Sequence, residues 1–476
     1  MKLGALTGNG EGAAVTGFAI DHRKVAPGTV FGAFAGARVN GESFIADAVR
    51  SGAVAVVARP EAVVAGAVHV ADDEPRQRFA ELAARYFAPF PDACVAVTGT
   101  NGKTSTVELT RQLWRMAGHH AASIGTLGVT TADERVTTGL TTPDVVTFLS
   151  NVAGLAREGV THLAFEASSH GLTQYRTEGL PVAAAAFTNL SRDHLDYHGD
   201  MAAYFTAKLR LFSEVLSSDG AAVVWADDPA AARVIDLARE RGNRLLTVGE
   251  RGDCLRLVGR EPTLLGQGLT IEAEGRTHHV RLPLIGGYQA ANALVAAGLV
   301  IATGGPVAET LANLARLQPV RGRLERAAIT RSGAPVYVDY AHTPDAIAAA
   351  ASALKPHAGS QGSKGRLILV FGAGGDRDAG KREDMGRVAI ESADRVIVTD
   401  DNPRTEDPAA IRAAVLKGAI GAAEIGDRRD AIATAVADAG PQDIVLIAGK
   451  GHEQGQVVGD LVLPFDDVAV ARECCS

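Results

Sequence analysis

The segment 95–105, Val-Ala-Val-Thr-Gly-Thr-Asn-Gly-Lys-Thr-Ser, limits what this chain can fold into more than any other stretch. A β-branched run leads into glycines, and a lysine with two hydroxyl residues opens a helix-like stretch. Glycines let the backbone approach an anion closely, while helix amides and a lysine supply positive charge. The strict P-loop spacing would place a glycine at Val97, so a contracted phosphate-binding loop is predicted at Gly99, Thr100, Asn101, Gly102, Lys103, Thr104 and Ser105. A helix start that merely tolerates glycine is the alternative.

Turn-forming joints divide the 476 residues into three predicted domains, in line with a length prior of about three. Phe90-Pro91 and the Pro/Gly-bearing joint 318–323 mark the boundaries, so the predicted domains are 1–91, 92–318 and 319–476. In the second and third ranges, apolar strands alternate with helical segments. That alternation predicts an α/β fold with doubly wound parallel sheets, the central one carrying the P-loop-type segment.

Composition and charge exclude several classes of function. A formal net charge of -8 argues against a nucleic-acid-binding protein, whose binding surface would be basic. No uninterrupted apolar run approaches the length of roughly 18 residues that spans a bilayer, so no membrane insertion is expected. The N-terminus shows no basic stretch followed by an apolar core, and the four cysteines do not form a disulfide framework. A cytoplasmic, reduced protein is therefore expected.

In the second predicted domain, two apolar strands end in residues that carry chemistry. The strand 161–166 ends at Glu166, and ligands bind at the carboxyl ends of strands in such sheets. The strand 183–187 leads into the segment 193–198, which has two histidines and two aspartates in six residues. A solvated polar surface is the alternative for this segment. Lys208 follows on the helix 201–212, and its spacing alone predicts a surface lysine with an apolar stem.

The last third contains four apolar strands that each end in a polar, Gly-rich or Pro-rich loop. Because the carboxyl ends of parallel strands meet at one edge, we expect these loops to share that edge. The loops are 340–344, 372–378, 400–405 and 449–453. Near the N-terminus, the charged turn Asp21-His22-Arg23 fits a solvated turn as well as a ligand contact.

Five motifs together resemble those of the Mur ligases, the ATP-dependent amide-forming enzymes of peptidoglycan precursor synthesis. The motifs are 98–105, Glu166-Ala-Ser-Ser-His-Gly-Leu, Asp193-His-Leu-Asp-Tyr-His-Gly, Asp339-Tyr-Ala-His-Thr-Pro and Gly374-Gly-Asp-Arg-Asp. Within that family, Asp401-Asn402-Pro403-Arg404 resembles the signature of members that add meso-diaminopimelate to UDP-N-acetylmuramoyl-L-alanyl-D-glutamate. The resemblance covers essentially the whole chain. It implies a domain for the UDP end, a central ATPase domain and a C-terminal Rossmann-like domain that closes over the site.

The chemistry of such an enzyme matches the residues of the phosphate-binding loop and its neighbours. A carboxylate attacks the γ-phosphate of ATP, and an amine then attacks the resulting acyl phosphate, so catalysis needs positioning and charge neutralisation. Lys103 would hold the phosphates, and Thr104 and Glu166 are hard oxygen ligands of the kind that Mg²⁺ prefers. The resemblance adds His194 as a contact to a second ion. It also implies that CO₂ carbamylates Lys208, which makes that side chain an anionic Mg²⁺ ligand.

The substrate pockets follow from the same resemblance. A planar guanidinium suits the distal carboxylate of diaminopimelate, which assigns Arg404 to it, and Glu453 would take the ammonium. The remaining expected diaminopimelate contacts are Arg377, Asp401, Asn402, Pro403 and Gly449. The expected muramoyl-dipeptide contacts are Arg23, Thr141, Thr142, Ser168, Gln174 and Arg176, and the expected ATP contacts outside the loop are Asn292, Arg323, Asp339 and His342. Where the family commonly has Asp-Ser-Arg near the uridine site, this chain has Asp21-His22-Arg23.

Three other functions are compatible with parts of the pattern. A sibling enzyme that adds lysine would share most motifs, and an enzyme that adds glutamate to folate would share the ATP loop. An ATP-binding scaffold without turnover is the non-enzymatic alternative. The segment 401–404 favours diaminopimelate over the first two, and the combined phosphate, metal and amine residues favour an enzyme.

Overall fold

The computed structural model describes residues 1–8, 12–36, 39–132, 134–136, 141–263, 266–359 and 365–476. These residues form two compact units, one of Met1–Thr247 with Gly298–Gly305 and one of Val248–Ala297 with Pro306–Ser476. Both units combine helices with sheets that contain neighbouring parallel strands, which confirms the predicted α/β class. Within the described ranges, no helix combines the length and the apolar character needed to cross a membrane.

The first unit begins with a four-stranded parallel sheet in the order β1-β2-β3-β4. Three rings pack on it edge to face, with Phe79 5.3 Å from Phe18 and 5.4 Å from Phe34. The elements are α1 (Leu3–Thr7), β1 (Gly17–Ala19), β2 (Thr29–Gly32), α2 (Ile45–Arg50), β3 (Ala53–Ala58), β4 (Val68–Ala71) and α3 (Pro75–Phe87).

A larger sheet follows, and its strand order places the phosphate-binding loop. The elements are β5 (Ala93–Thr98), α4 (Lys103–Met116), β6 (Ala121–Gly125), β7 (Gly128–Thr130), β8 (Arg135–Val136), α5 (Val145–Arg157), β9 (His162–Glu166), α6 (Ser169–Thr173), β10 (Val182–Phe187), α7 (Leu195–His198), α8 (Met201–Arg210), β11 (Leu216–Trp225), α9 (Ala231–Glu240) and β12 (Arg244–Gly249). The order includes β11-β10-β5-β9-β6-β7-β8. Since β9 and β10 flank β5 and run parallel to it, the loops after all three strands leave the same edge.

The second unit starts with three antiparallel strands, β13 (Leu255–Thr263), β14 (Gly266–Ala273) and β15 (Arg276–Leu282). The predicted alternation of strands and helices is wrong for this stretch. The reason is the tight turn between β14 and β15, where Glu274 and Gly275 have φ of 50° and 70°. Two consecutive residues with positive φ match the twist of a hairpin.

The C-terminal sheet has the order β16-β17-β21-β18-β19-β20. Because β17, β21, β18 and β19 are parallel neighbours, the loops after them lie at one edge, as predicted. The elements are α10 (Gly287–Ala302), α11 (Val307–Asn313), β16 (Glu325–Ile329), β17 (Pro335–Asp339), α12 (Pro344–Leu354), β18 (Leu367–Phe371), α13 (Lys381–Ser392), β19 (Arg395–Val398), α14 (Pro408–Leu416), β20 (Ala423–Glu424), α15 (Arg428–Asp438), β21 (Ile444–Ala448), β22 (Gly455–Val458), β23 (Leu461–Pro464) and α16 (Asp467–Cys475).

Strand β18 shows why the C-terminal strands are apolar throughout. Leu367, Leu369 and Phe371 belong to the apolar cluster on one face of the sheet, and Ile368 and Val370 belong to the cluster on the other. A parallel sheet covered by helices on both faces buries every residue of a central strand. The loops at the strand ends are consequently where this unit can place polar chemistry.

Candidate active site

The lysine of the loop after β5 bonds to the backbone of the same loop. Lys103 Nζ donates to the carbonyl oxygens of Gly99 and Thr100, at 2.8 Å each. Gly99 has a φ of 146°, and a Cβ there would lie 1.9 Å from Thr188 Oγ1, so only glycine fits. Val97 is fully buried within β5, which explains the contracted loop, since the strand continues where a longer P-loop would already turn.

The loop after β10 holds the phosphate-binding loop in place. Thr188 Oγ1 donates to Asn101 O at 2.6 Å, and Asn101 N donates to Asn189 Oδ1 at 2.9 Å. Helix α4 begins at Lys103, directly after Gly102 with its φ of 88°. The first amides of this helix and the lysine ammonium therefore lie together, as anion binding requires.

Lys208 is buried, with 1% of its surface exposed, and its Nζ donates to Gly99 O at 2.7 Å. The prediction of a surface lysine is wrong. Tyr204 lies one turn earlier on the same face of α8, its ring centroid 4.3 Å from Lys208 Nζ, and this face packs against the loop. Burial lowers the pKa of Lys208 well below its ordinary value, and the charge of Lys103 lowers it further. Gly99 O thus accepts hydrogen bonds from two lysines.

Glu166 ends β9 beside the phosphate-binding loop and is almost completely buried. Its Oε1 accepts from Thr126 N at 2.7 Å, and its Oε2 accepts from Thr126 Oγ1 at 3.1 Å. A Cβ at Gly125 would lie 2.2 Å from Glu166 Oε1. The absence of a side chain at Gly125 therefore lets the Glu166 carboxylate pack directly against the backbone. The carboxylate and the buried hydroxyl of Thr104 are both hard oxygen donors, which fits Mg²⁺.

The segment after β10 brings His194 and His198 against His170 of α6, while 48% of the His194 side chain stays exposed to solvent. The ring of His170 lies 4.9 Å from that of His194 and 5.5 Å from that of His198. His194 has a φ of 53°, a strained conformation for a residue other than glycine. Burial lowers the pKa of His194, Asp193 opposes that shift, and Lys103 and Lys208 reinforce it. Burial also lowers the pKa of His170 to about 4, so the imidazole of His170 is neutral at pH 7.

Five of the six predicted muramoyl-dipeptide residues form one hydrogen-bonded network. Thr142 Oγ1 donates to Glu166 O at 2.8 Å and lies 3.0 Å from Ser168 Oγ. Arg176 Nη1 donates to Thr142 O at 2.6 Å. The other bonds are from Arg176 Nη2 to Gln174 Oε1 at 2.7 Å and from Thr126 Oγ1 to Thr141 Oγ1 at 3.1 Å.

Arg23 is the member that the described contacts do not join to this network. Its side chain is 78% exposed, and its guanidinium pairs with the Asp21 carboxylate at 2.7 Å. That hydrogen bond lowers the pKa of Asp21 to about 2. His22 stacks on Phe44 with ring centroids 4.2 Å apart, so the unusual residue of this turn serves packing.

In the second unit, Asp339 is a buried carboxylate at the end of β17. Burial raises its pKa to about 6, although Arg323 and two amides lower it. Those amides, Leu324 N and Ala341 N, donate to its two oxygens at 2.7 and 2.8 Å. Leu324, which donates one of these bonds, has a φ of 46°, in the left-handed region that residues other than glycine rarely adopt.

The four predicted ATP contacts of this unit are connected through their neighbours. The Arg323 guanidinium lies over the Tyr340 ring at 4.7 Å, and the His342 ring lies 4.6 Å from that ring. Gln289 Nε2 donates to Arg323 O at 3.0 Å, and Asn292 Nδ2 donates to Gln289 Oε1 at 3.3 Å. Tyr340 and Gln289 were not predicted from the sequence.

The loop Asp401–Arg404 meets the loop after β21 through Asn402. Asn402 Nδ2 donates to Glu453 Oε2 at 2.8 Å, and Asn402 Oδ1 accepts from Lys450 Nζ at 3.0 Å. A Cβ at Gly449 would lie 2.6 Å from Asp401 Oδ2, so glycine lets these loops approach. Lys450 was missed as a site residue, although it lies in a loop whose chemistry the sequence indicated.

Arg404 is held at the same edge by backbone bonds. It has a φ of 52°, its Nη1 donates to Gly375 O at 2.6 Å, and its N donates to Val457 O at 3.0 Å. A Cβ at Gly375 would lie 1.9 Å from Pro403 O, so these loops also touch. Arg377 is exposed in the loop after β18 and is the predicted member with the fewest described contacts.

Comparison with known families accounts for most of the chain. The model of the Mur ligase family catalytic domain matches residues 14–87, that of the Mur ligase middle domain matches 97–300, and that of the Mur ligase glutamate ligase domain matches 322–451. This chain belongs to the Mur ligase family. The resemblance inferred from the motifs is thereby confirmed.

Individual Mur ligases match this one over nearly their full length. A protein of Zymomonas mobilis named UDP-N-acetylmuramoyl-L-alanyl-D-glutamate–2,6-diaminopimelate ligase is 60% identical over 463 residues, covering 96% of this chain and 94% of its own. A protein of Bradyrhizobium diazoefficiens with the same name is 51% identical over 480 residues, covering 98% and 97%. A solved structure of such a ligase superposes with a TM-score of 0.73 at 34% identity, covering 100% of this chain and 98% of its own.

Proposed function

We propose that this Mur ligase joins meso-diaminopimelate to UDP-N-acetylmuramoyl-L-alanyl-D-glutamate with consumption of ATP, as the names of its relatives indicate for them. The observation that carries the substrate assignment is the pairing of the Arg404 loop with Glu453 through Asn402. A guanidinium and a carboxylate at one sheet edge match the two charges of a distal amino-acid centre. Lysine carries no such carboxylate.

The reaction proceeds in two displacements. A substrate carboxylate oxygen attacks the γ-phosphorus of ATP, the bond to ADP breaks, and an acyl phosphate forms. The amine nitrogen of diaminopimelate then attacks the acyl carbon, phosphate leaves, and the amine loses a proton. Lys103 neutralises the transferred group after leaving the carbonyl oxygens that it now contacts, because a phosphate oxygen is the stronger, charged acceptor.

Thr104 and Glu166 would hold Mg²⁺, which supplies charge neutralisation between the phosphates. Across the described ranges, no group of three or more His, Cys, Asp or Glu residues is arranged to hold a metal ion. Mg²⁺ commonly binds to one or two protein ligands, with phosphate and water oxygens completing its coordination, and such a site agrees with the presence of Thr104 and Glu166 alone. His194, whose pKa is lowered by burial, would contact a second ion.

Lys208 supplies the missing anionic ligand when it is carbamylated. A buried amine whose pKa is lowered gives up its proton more readily, and the free nitrogen then bonds to the carbon of CO₂ with release of one further proton. The product carries a negative charge close to the Lys103 ammonium, which also donates to Gly99 O, and the opposite charges attract.

The division of labour follows the three ranges predicted from the sequence. Residues 1–91 bind the UDP end, 92–318 bind ATP and activate the carboxylate, and 319–476 bind the amino acid. The three family matches fall inside these ranges, which supports the division. The proposed muramoyl-dipeptide contacts are the network of Thr142, Ser168 and Arg176 with Thr141 and Gln174, and Arg23 would add a separate contact from the N-terminal range.

An ADP-release assay on the purified full chain tests this function. We expect ADP only when ATP, the UDP-muramoyl-dipeptide and meso-diaminopimelate are all present. ADP release that depends on a folate and glutamate, or binding of ATP with no release under any combination, would contradict the proposal.

A further inference from the structure

Lys450 is a lysine with no exposed side-chain surface, located in the loop after β21. Its Nζ donates to Asn402 Oδ1 at 3.0 Å and to Glu453 Oε2 at 3.3 Å, and it lies 3.7 Å from Asp401 Oδ1. Two of the three ammonium donors therefore bond to Asn402 and Glu453, and the Asp401 carboxylate lies at ion-pair distance. Because it is enclosed and occupied, Lys450 cannot contact a substrate and must act through its neighbours.

The amide of Asn402 transmits the effect of Lys450. Its Oδ1 accepts from both Lys450 Nζ and Val457 N, at 3.0 and 2.9 Å, which turns its Nδ2 toward Glu453. The reverse orientation would place an NH₂ group against an ammonium. The position of Lys450 therefore decides both which way this amide points and where the Glu453 carboxylate is held.

The hairpin of β22 and β23 holds the same loop from its other side. Gln456 Nε2 donates to Asp401 O at 2.7 Å, and Arg404 exchanges backbone bonds with the hairpin, donating to Val457 O and accepting from Gly459 N at 2.7 Å. Arg404 has a positive φ, which a residue with a side chain keeps only when its surroundings impose it. The loop is thus fixed between a buried charge and a hairpin.

We propose that Lys450 is a positioning residue that sets the preference for the amine substrate. Its ammonium fixes Glu453 directly and fixes the Asp401–Arg404 loop through Asn402, so that the carboxylate and the guanidinium stand at the spacing of an amino acid with a second charged centre. The inference rests on the proposed function, in which these two groups hold diaminopimelate.

The test is Lys450→Met in the full chain, because methionine keeps the length and apolar stem but removes the charge. We expect KM for meso-diaminopimelate to rise about 30-fold, the effect of removing one partner of a buried hydrogen-bonded charge pair. KM for ATP and kcat should stay near the wild-type values. As a result, kcat/KM for diaminopimelate divided by kcat/KM for lysine should be lower in Lys450→Met than in the wild type.

Two further variants separate positioning from general damage. Lys417→Met changes an exposed lysine of the same unit and should change nothing. Gln456→Ala removes one hydrogen bond to Asp401 O without disturbing a buried charge, so it should raise KM for diaminopimelate about 5-fold. If Lys450→Met does not fold, Gln456→Ala serves as the test instead. An unchanged KM for diaminopimelate in Gln456→Ala then overturns the proposal.

Hydrogen exchange of the segment 399–406 gives a result independent of which amine is the substrate. Faster exchange at Arg404 in Lys450→Met, but not in Lys417→Met, supports positioning even if the wild type does not use diaminopimelate. Unchanged exchange overturns the proposal, as does a parallel rise of KM for all three substrates. Failure of the wild type to use diaminopimelate contradicts only the proposed function.

Discussion

The phosphate-binding loop of the first unit and the Asp401–Arg404 loop of the second both carry charged groups, but they hold them differently. In the first, two lysines donate hydrogen bonds to the carbonyl oxygen of Gly99. In the second, Lys450 is enclosed by Asn402 and two carboxylates. In the first arrangement the Lys103 ammonium donates to backbone carbonyl oxygens that a phosphate oxygen can replace, whereas in the second the Lys450 ammonium holds the side chains of the pocket.

This difference separates two kinds of specificity. A phosphate is recognised by backbone amides and a mobile ammonium, which any nucleoside triphosphate satisfies. An amino acid with a second charged centre has to be recognised by side chains at fixed distances, which need support from neighbouring residues. Changes in the first loop should consequently abolish turnover, and changes in the second should alter the choice of substrate.

The largest effect is expected for Lys103→Ala. Removing the ammonium that neutralises the transferred phosphate should lower kcat about 100- to 1,000-fold, as for loss of one preorganised electrostatic group. Steady-state ADP release measures it, with Lys417→Ala as the control and circular dichroism as the check on folding. A protein that keeps its kcat without Lys103 would show that this loop does not serve catalysis.

A smaller and more selective effect is expected for Arg404→Ala. Loss of the guanidinium should raise KM for meso-diaminopimelate about 30-fold while KM for ATP changes little, since charge-assisted bonds to a carboxylate are strong. Arg404→Lys keeps the positive charge but lacks the planar guanidinium. Its KM for meso-diaminopimelate should lie between those of the wild type and Arg404→Ala. Equal rises in both KM values would contradict the separation of the two loops.

The smallest effect concerns Asp339, whose pKa of about 6 lies above the ordinary value of 3.8. The folded state binds this proton more tightly than the unfolded state, so its contribution to stability is present at low pH and is lost as pH rises through about 6. Between pH 5 and pH 7.5, the free energy of unfolding should fall about 1 to 1.5 kcal/mol more in the wild type than in Asp339→Asn. Urea unfolding at both pH values measures this difference, and identical pH dependence in the two proteins would contradict it.

The sequence was sufficient where local chemistry decides the structure. The glycines at 99 and 102, the strand before them and the helix after them form the predicted loop. The four apolar C-terminal strands are parallel neighbours with their polar loops at one edge. Continuous apolar runs between turn residues predict such strands directly.

The sequence was insufficient to predict features that depend on packing between segments far apart in the chain. Lys208 looks like a surface lysine until α8 is seen packing on a loop more than 100 positions earlier. Lys450 is adjacent to recognised residues, but its burial depends on Asn402, 48 positions away. The three antiparallel strands of 255–282 required knowledge of their tight turn.

The most direct measurement is the mass of the product formed when meso-diaminopimelate and lysine compete for the UDP-muramoyl-dipeptide in the presence of ATP. The account predicts one dominant product, heavier than the starting dipeptide by diaminopimelate less one water. Equal amounts of the lysine product, or a product containing only lysine, would contradict it.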